Sequence, residues 1–120
     1  MTFTLKCNLP SGKNAVKNTR TGHRYPNKRF VDWRTDAMQQ ITQQCGRPDP
    51  IAHPIKLIVD YTPGDKRVRD VAGMLDALGH LLERAGVIAH DGLIRDCAWH
   101  EFEMNRAQPQ ACVTLQRRHP

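Results

Sequence analysis

The chain has 120 residues, the length of a single domain with one hydrophobic core. Its 18 Lys and Arg against 12 Asp and Glu give a net charge of +6, which favours a polyanionic partner. No apolar run reaches the roughly 18 residues of a membrane span, and the N-terminus lacks the apolar core of a signal peptide. The four cysteines show no zinc-ligand spacing, so we expect reduced, mostly buried thiols in a cytoplasmic protein.

The first predicted element is a half-buried strand over residues 2–7, in which Phe3 and Leu5 share one face. A long polar loop follows. From Lys6 to Arg29 the chain holds seven Lys or Arg and no acid. Such segments are usually solvated, but inside an ordered domain this one is interpreted as facing nucleic acid. Its candidate DNA contacts are the basic side chains Lys13, Lys17, Arg20, Arg24 and Lys28.

Further elements follow from hydrophobic periodicity. Residues 30–45 place their apolar side chains on one helical face. Residues 54–61 form the strongest predicted strand, and Ile58 on its second face indicates a central strand covered on both sides. Two strands are predicted at residues 97–104 and 111–116, and the short linker between them favours a hairpin.

The most informative stretch runs from Asp65 to Asp91. Within it, apolar residues recur with a period of 3.6 and predict a second helix. They are Val71, Met74, Leu75, Leu78, Leu81, Leu82 and Ala85. Gly86 ends this helix as a C-cap residue. Taken together, the elements predict an α/β (α+β) fold, in which one mixed sheet of about four strands packs with two main helices.

Two acids bracket the second helix, and each has two interpretations. Asp70 is a good N-cap residue, and Asp91 precedes a glycine as turn residues do. The basic cluster Lys66, Arg67 and Arg69 stands beside Asp70 and favours contact with phosphate. Carboxylates that hold Mg²⁺ and bases that hold the phosphate backbone are what a metal-dependent phosphodiester enzyme needs.

Asp76 and His80 lie four residues apart, on one stripe of the predicted helix. The simpler interpretation is an exposed pair of little energy. The functional interpretation is that Asp76 looks back toward Asp70 and supplies a second metal-binding carboxylate. The six histidines form no recognisable site, although His90 adjoins Asp91 and could touch a substrate.

The motif of Arg69-Asp70, the helix, Ala85-Gly86 and Asp91 resembles the core of the RusA family of Holliday junction resolvases. The resemblance extends over nearly the whole chain, because Leu9-Pro10-Ser11 and Asn14 are similar to an early family segment. It implies one RusA-like nuclease domain over residues 1–120. Such proteins are homodimers that cut four-way DNA junctions symmetrically with Mg²⁺ or Mn²⁺.

Carried onto this sequence, the resemblance places the first and last family acids at Asp70 and Asp91 and an arginine at Arg69. It adds Asn14 to the DNA contacts of the basic loop. Four polar positions of the family pattern differ in type here, at Ala72, Gly73, Asp76 and His80. Either Asp76 replaces the carboxylate missing at Ala72, or the protein has lost activity and kept DNA binding.

Together with these acids and bases, the resemblance implies a Mg²⁺- or Mn²⁺-dependent endonuclease for branched DNA, acting in recombination and repair. Its catalytic and metal-binding residues would be Asp70, Asp76 and Asp91, with Lys66, Arg67 and Arg69 on the scissile phosphate. The alternative is a catalytically impaired RusA-like protein that binds branched DNA without cutting it. A basic structural domain with no DNA role remains a third interpretation.

Overall fold

The structure is a computed structural model that describes residues 1–11, 16–18, 24–26 and 28–118. In chain order its strands and helices are β1 (Thr2–Leu5), β2 (Val16–Asn18), β3 (Arg24–Pro26), α1 (Lys28–Cys45), β4 (Ile55–Thr62), α2 (Val71–Arg84), β5 (Ile94–Glu101) and β6 (Gln110–Arg117). The main sheet has the order β1-β6-β4-β5, and β2 pairs with β3 in a separate two-stranded sheet. A four-stranded mixed sheet with two helices confirms the predicted fold class.

The predicted hairpin between the last two strands is wrong, because β4 lies between them. β4 pairs in parallel with β5 and antiparallel with β6. The crossover through α2 makes β5 parallel to β4, so the chain must pass the end of β4 before it can return as β6. The linker passes close to the end of β4, since the Asn105 N–H donates at 2.8 Å to the carbonyl of Pro63, the residue directly after that strand.

The core lies on one face of the main sheet. Residues of β4 alternate between buried and half-buried, and Ile55, Leu57 and Val59 point into the core. Buried residues of both helices belong to the same hydrophobic cluster as these side chains, so both helices cover the same face. Ile58 is half-buried on the opposite face. β4 is a central strand, as predicted, but among the described residues both helices lie on its other face, so the predicted cover on the Ile58 face is only partial.

The basic segment after β1 was predicted as a loop, and the structure corrects this in part. Strands β2 and β3 pair antiparallel within it, with Lys17 opposite Tyr25. The prediction from composition missed them because each strand has only three residues. Such short strands carry almost no periodic signal.

The four thiols are free in the structure. The predicted burial is wrong, because Cys7, Cys45 and Cys112 are half-buried and Cys97 is exposed on β5. Burial raises the pKa of the Cys7 thiol. In the described residues, no helix is both long and apolar enough to cross a membrane.

Helix α2 forms as predicted, with Asp70 as its N-cap and a turn after Arg84. The turn depends on Gly86, whose φ of 73° lies in the left-handed region that side chains disfavour. The Val87 N–H then donates to the Leu82 carbonyl at 2.9 Å, and the chain reverses toward β5.

Substitution of Gly86 by Ala is expected to lower the free energy of unfolding by about 1–2 kcal/mol, the cost of a left-handed non-glycine residue. Gly79→Ala is the matched control in the same element. A Cβ there would meet Ile94 Cδ1 at 3.6 Å, an ordinary contact, and the helix would gain up to about 1 kcal/mol in propensity. Urea denaturation of the two variants measures the difference. Equal effects would contradict the role of the turn.

Candidate functional site

Three metal-ligating side chains come together where α2 passes into β5. Glu83 lies in the last turn of α2, and His90 and Asp91 lie at the start of a short 3₁₀ helix, Asp91–Leu93. One ligand atom from each of the three lies within 4.8 Å of the others. Among the described residues, this is the one group of three His, Cys, Asp or Glu side chains so placed. We refer to these three residues as the acidic–imidazole group.

Backbone contacts hold this group together. The Asp91 N–H donates to Glu83 Oε1 at 3.1 Å, which ties the 3₁₀ helix to the end of α2. His90 Nδ1 accepts the Gly92 N–H at 2.8 Å and caps the 3₁₀ helix. Asp91 packs directly against α2 beside Gly79, since a Cβ built on Gly79 would lie 3.8 Å from the Asp91 Cβ, in ordinary van der Waals contact.

The acidic–imidazole group is open to solvent. The His90 side chain is 72% exposed and that of Asp91 is 55% exposed, and His90 Nδ1 lies 3.6 Å from Asp91 Oδ1. A large anionic substrate can therefore reach these atoms without any rearrangement of the core.

The donor set is two carboxylates and one imidazole. Mg²⁺ and Mn²⁺ both prefer oxygen ligands, but Mn²⁺, as a transition metal, also accepts a ring nitrogen. To bind a metal through Nδ1, His90 must give up its hydrogen bond to Gly92, at a cost of about 1 kcal/mol. The three residues present therefore fit Mn²⁺ better than Mg²⁺.

Asp70 lies at the opposite end of α2. Its Oδ1 accepts the Ala72 N–H at 3.2 Å, as an N-cap carboxylate does. Asp91 packs beside Gly79, which follows Asp70 by nine residues, or about 13 Å along a helix axis. Within one chain, Asp70 and Asp91 therefore do not share a metal ion.

Asp76 is exposed on α2 and is not part of the acidic–imidazole group. Its predicted stripe partner His80 contacts α1 instead. The His80 Nε2 lies 3.0 Å from Arg34 Nη1, and its ring packs against Phe30 with centroids 5.5 Å apart. The structure thus places Asp76 on α2 between Asp70 and Glu83, one turn before Gly79, beside which Asp91 packs.

The basic cluster divides into one fixed and two exposed side chains. The Arg69 guanidinium donates to both carboxylate oxygens of Asp65, at 2.8 and 3.0 Å. This bidentate pair, together with the Arg67 N–H that donates to Asp65 Oδ1, shapes the loop before α2. Lys66 and Arg67 are exposed and can contact phosphate. Arg69 has a structural partner within the chain.

The Arg69 hydrogen bonds, with the Arg67 amide, lower the pKa of Asp65 from 3.8 to about 2. A lowered carboxyl pKa stabilises the folded state at pH values above the unfolded pKa, and this contribution is lost as pH falls from about 4 to about 2. We expect Asp65→Asn to be less stable than the wild type at pH 7, and the two to converge as pH falls through and below about 2. Thermal unfolding of both proteins across this range measures the convergence, and a gap that does not change with pH would contradict it.

A cavity of about 610 Å³ lies at the Asp70 end of α2, where residues 8–11, the start of α1 and residues 67–70 meet. Its walls are fixed by hydrogen bonds around Tyr61, whose hydroxyl accepts the Leu9 N–H at 3.1 Å. Asn8 Oδ1 in turn accepts the Gly64 N–H at 2.8 Å. The exposed side chains of Arg29 and Arg67 line this cavity and give it a basic rim.

Most of the predicted DNA contacts in the early basic segment lie outside the described part of the chain. Lys13, Asn14 and Arg20 lie outside the described residues, as do the side chains of Lys17 and Arg24. Lys28 is described and is exposed in the first turn of α1.

Compared with protein-family models and with curated proteins, the chain matches none. Sequence reasoning identified Asp91 but missed its grouping with Glu83 and His90. The sequence contained one indication that these three residues would lie together, namely Gly86, which ends α2. A C-cap that reverses the chain places the residues after it alongside the last helical turn.

Proposed function

We propose that this protein is a metal-dependent, structure-specific endonuclease that resolves four-way DNA junctions by paired nicks, in recombination and repair. The observation that carries the proposal is the solvent-open group of Glu83, His90 and Asp91 on a domain of net charge +6. Metal-ligating side chains on a strongly basic protein suit hydrolysis of a polyanion. The resemblance of the sequence to the RusA family supports four-way junctions as the substrate.

In this proposal Glu83, His90 and Asp91 hold the metal. A divalent ion held by these three residues would supply the means to activate water at neutral pH and to stabilise the leaving oxygen of a phosphodiester. Lys66 and Arg67, both exposed, bind phosphates of the backbone, and Arg69 keeps their loop in place through Asp65. The Asp91 amide orients the Glu83 carboxylate toward the other ligands.

The donor set leads us to expect faster cleavage with Mn²⁺ than with Mg²⁺ at equal concentration, because only the transition metal accepts the imidazole readily. His90→Asn removes the ring nitrogen and is expected to reduce this preference.

A second candidate function is binding of branched DNA without cleavage. Two observations favour it: position 72 is an alanine, and the Asp70 carboxylate caps α2 at the far end from Asp91. Neither feature changes the basic side chains of the surface, so the protein would still bind DNA after a loss of nuclease activity.

The test uses an end-labelled four-way junction, with a linear duplex of the same arm sequence as control. Paired symmetric nicks in the junction alone, dependent on Mn²⁺ or Mg²⁺, are expected. Binding that weakens with added salt but gives no nicks under either metal would establish the non-cutting candidate instead. Absence of salt-dependent binding to either DNA would overturn both.

A further inference from the structure

The two helices carry a second basic surface, separate from the basic cluster before α2. A cavity of about 510 Å³ lies between the solvent-facing side of α1 and the last turn of α2. Arg34, Arg47 and Arg84 line this cavity, and none of its lining residues is acidic. We refer to it as the arginine groove.

The three arginines of this groove are not neutralised within the chain. No carboxylate in the described ranges forms an ion pair with any of them. Burial, and then the positive charge of Arg84, lower the pKa of the Arg34 guanidinium. Positive charges held close together oppose folding, and an anion placed between them would offset that repulsion. The arginine groove therefore favours a negatively charged ligand.

Arg34 is already positioned for such a ligand. Its Nη1 lies 3.0 Å from His80 Nε2, and its guanidinium carbon lies 5.9 Å from the centre of the Phe30 ring. Arg47 and Arg84 are exposed, and neither forms a side-chain hydrogen bond or ion pair with a described residue. The C-terminal end of α2 favours a cation at Arg84, but this does not account for three arginines in one groove. Guanidinium groups bind phosphate oxygens in a bidentate manner.

The glutamines of α1 indicate which side of this helix is available to a ligand. Gln40 and Gln44 lie toward β1, where each side-chain oxygen accepts a backbone N–H at 2.8 Å. Gln39 and Gln43 line the arginine groove and form no side-chain hydrogen bond with a described residue. Their amide groups can therefore donate to phosphate oxygens beside the arginines.

The length of the groove indicates an extended ligand. Arg34 and Gln43 lie nine residues apart on α1, or about 13 Å along the helix axis. Arg47 extends the basic surface beyond the end of the helix. One phosphate group cannot contact both ends, whereas a nucleic-acid strand carries a charge about every 3.4 Å along its axis. A chain of phosphate groups fits the groove better than a single one.

We propose that the arginine groove binds the phosphate backbone of one nucleic-acid strand through Arg34, Arg47 and Arg84. The lining residues offer donors to phosphate oxygens, and they include no aromatic side chain on which a base could stack. Binding in the groove is therefore independent of base sequence and weakens with added salt.

The groove adjoins the acidic–imidazole group. Arg84 directly follows Glu83 in the last turn of α2, so a strand held in the groove passes the end of α2 at which the metal ligands lie. The groove would hold the DNA arm that leads to the metal, while Lys66 and Arg67 lie before the other end of α2. This consequence rests on the proposed function, whereas backbone binding by the groove does not.

The test is binding of a fluorescently labelled linear duplex without metal, measured by anisotropy over a series of NaCl concentrations. Arg34 stays in place, because it packs against Phe30 and His80. The double variant Arg47→Gln with Arg84→Gln is expected to bind at least about tenfold more weakly at low salt. The slope of log K against log salt is expected to fall by about 1.8, since each lost phosphate contact removes about 0.9.

Two matched double variants serve as controls. Arg106→Gln with Arg117→Gln removes the same charge from exposed positions outside the groove and should leave the slope unchanged. Arg47→Lys with Arg84→Lys keeps the charge, so it should retain the slope while binding more weakly than the wild type, because an ammonium group is not bidentate. An unchanged slope in the Arg47→Gln and Arg84→Gln variant, or an equal fall in the outside control, would overturn the proposal.

Inorganic tripolyphosphate separates a compact ligand from a strand. If the Arg47→Gln and Arg84→Gln variant lost affinity for tripolyphosphate in calorimetry but bound the duplex as the wild type does, the groove would take a compact phosphate ligand and the proposal would be overturned. A wild type that never nicks four-way junctions, yet shows the expected difference in slope, would refute the proposed nuclease activity and leave the groove intact.

Discussion

Asp91→Asn is expected to lower metal-dependent cleavage of four-way junctions by at least about 100-fold, since loss of even the outer partners of metal ligands costs roughly 10–100-fold. The change keeps the size of the side chain and removes its charge. The Asp91 backbone amide that holds Glu83 is unaffected by the substitution, so the local fold persists. Single-turnover cleavage with Mn²⁺, beside Mn²⁺ binding measured by electron paramagnetic resonance, gives both readouts.

Glu83→Gln serves as the partner variant and Asp49→Asn as the control. Glu83→Gln removes a second ligand of the same group, so it is expected to weaken Mn²⁺ binding as Asp91→Asn does. Asp49 is exposed in the loop between α1 and β4, and its loss should leave both readouts unchanged. Wild-type metal binding in both Asp91→Asn and Glu83→Gln would show that the acidic–imidazole group is not the metal site.

The fold was predictable where local pattern and tertiary packing agree. The apolar stripe of α2 and the glycine after it define that helix without any long-range information, and the structure has it at Val71–Arg84. The alternation in β4 predicted its buried face for the same reason. The order of the strands was not predictable this way, because β6 inserts between β1 and β4 through pairs at least 48 residues apart in sequence, the nearest being Thr62 and Gln110.

The candidate site was predictable only in part, since distances across α2 are not visible in a motif. The sequence assigned Asp70 and Asp91 to one metal site, yet the 14 residues of helix α2 lie between them in the chain. Asp91 packs beside Gly79, nine residues and about 13 Å along the helix axis from Asp70, a separation that a single ion cannot bridge. The neighbours that Asp91 does have, Glu83 and His90, follow from the chain reversal after Gly86.

Leu78→Ala is expected to lower the free energy of unfolding by about 3 kcal/mol, in the range measured for buried leucines that leave a cavity. Leu78 is fully buried in the core between α2 and the main sheet. Leu75→Ala removes the same atoms from the same helix at a half-buried site, so it is expected to cost clearly less. Urea denaturation compares the two, and equal losses would contradict the assigned core face of α2.

The same pair of variants separates stability from function. Glu83 belongs to α2, and the turn that ends this helix delivers His90 and Asp91, so the metal group exists only while α2 is packed. Leu78→Ala should therefore reduce the folded fraction on warming while the Mn²⁺ affinity of the folded protein stays at the wild-type value at low temperature. If Leu78→Ala bound Mn²⁺ more weakly than the wild type at 10 °C while circular dichroism showed an intact fold, the prediction would be contradicted. Core packing would then determine the geometry of the three metal ligands even in the folded protein.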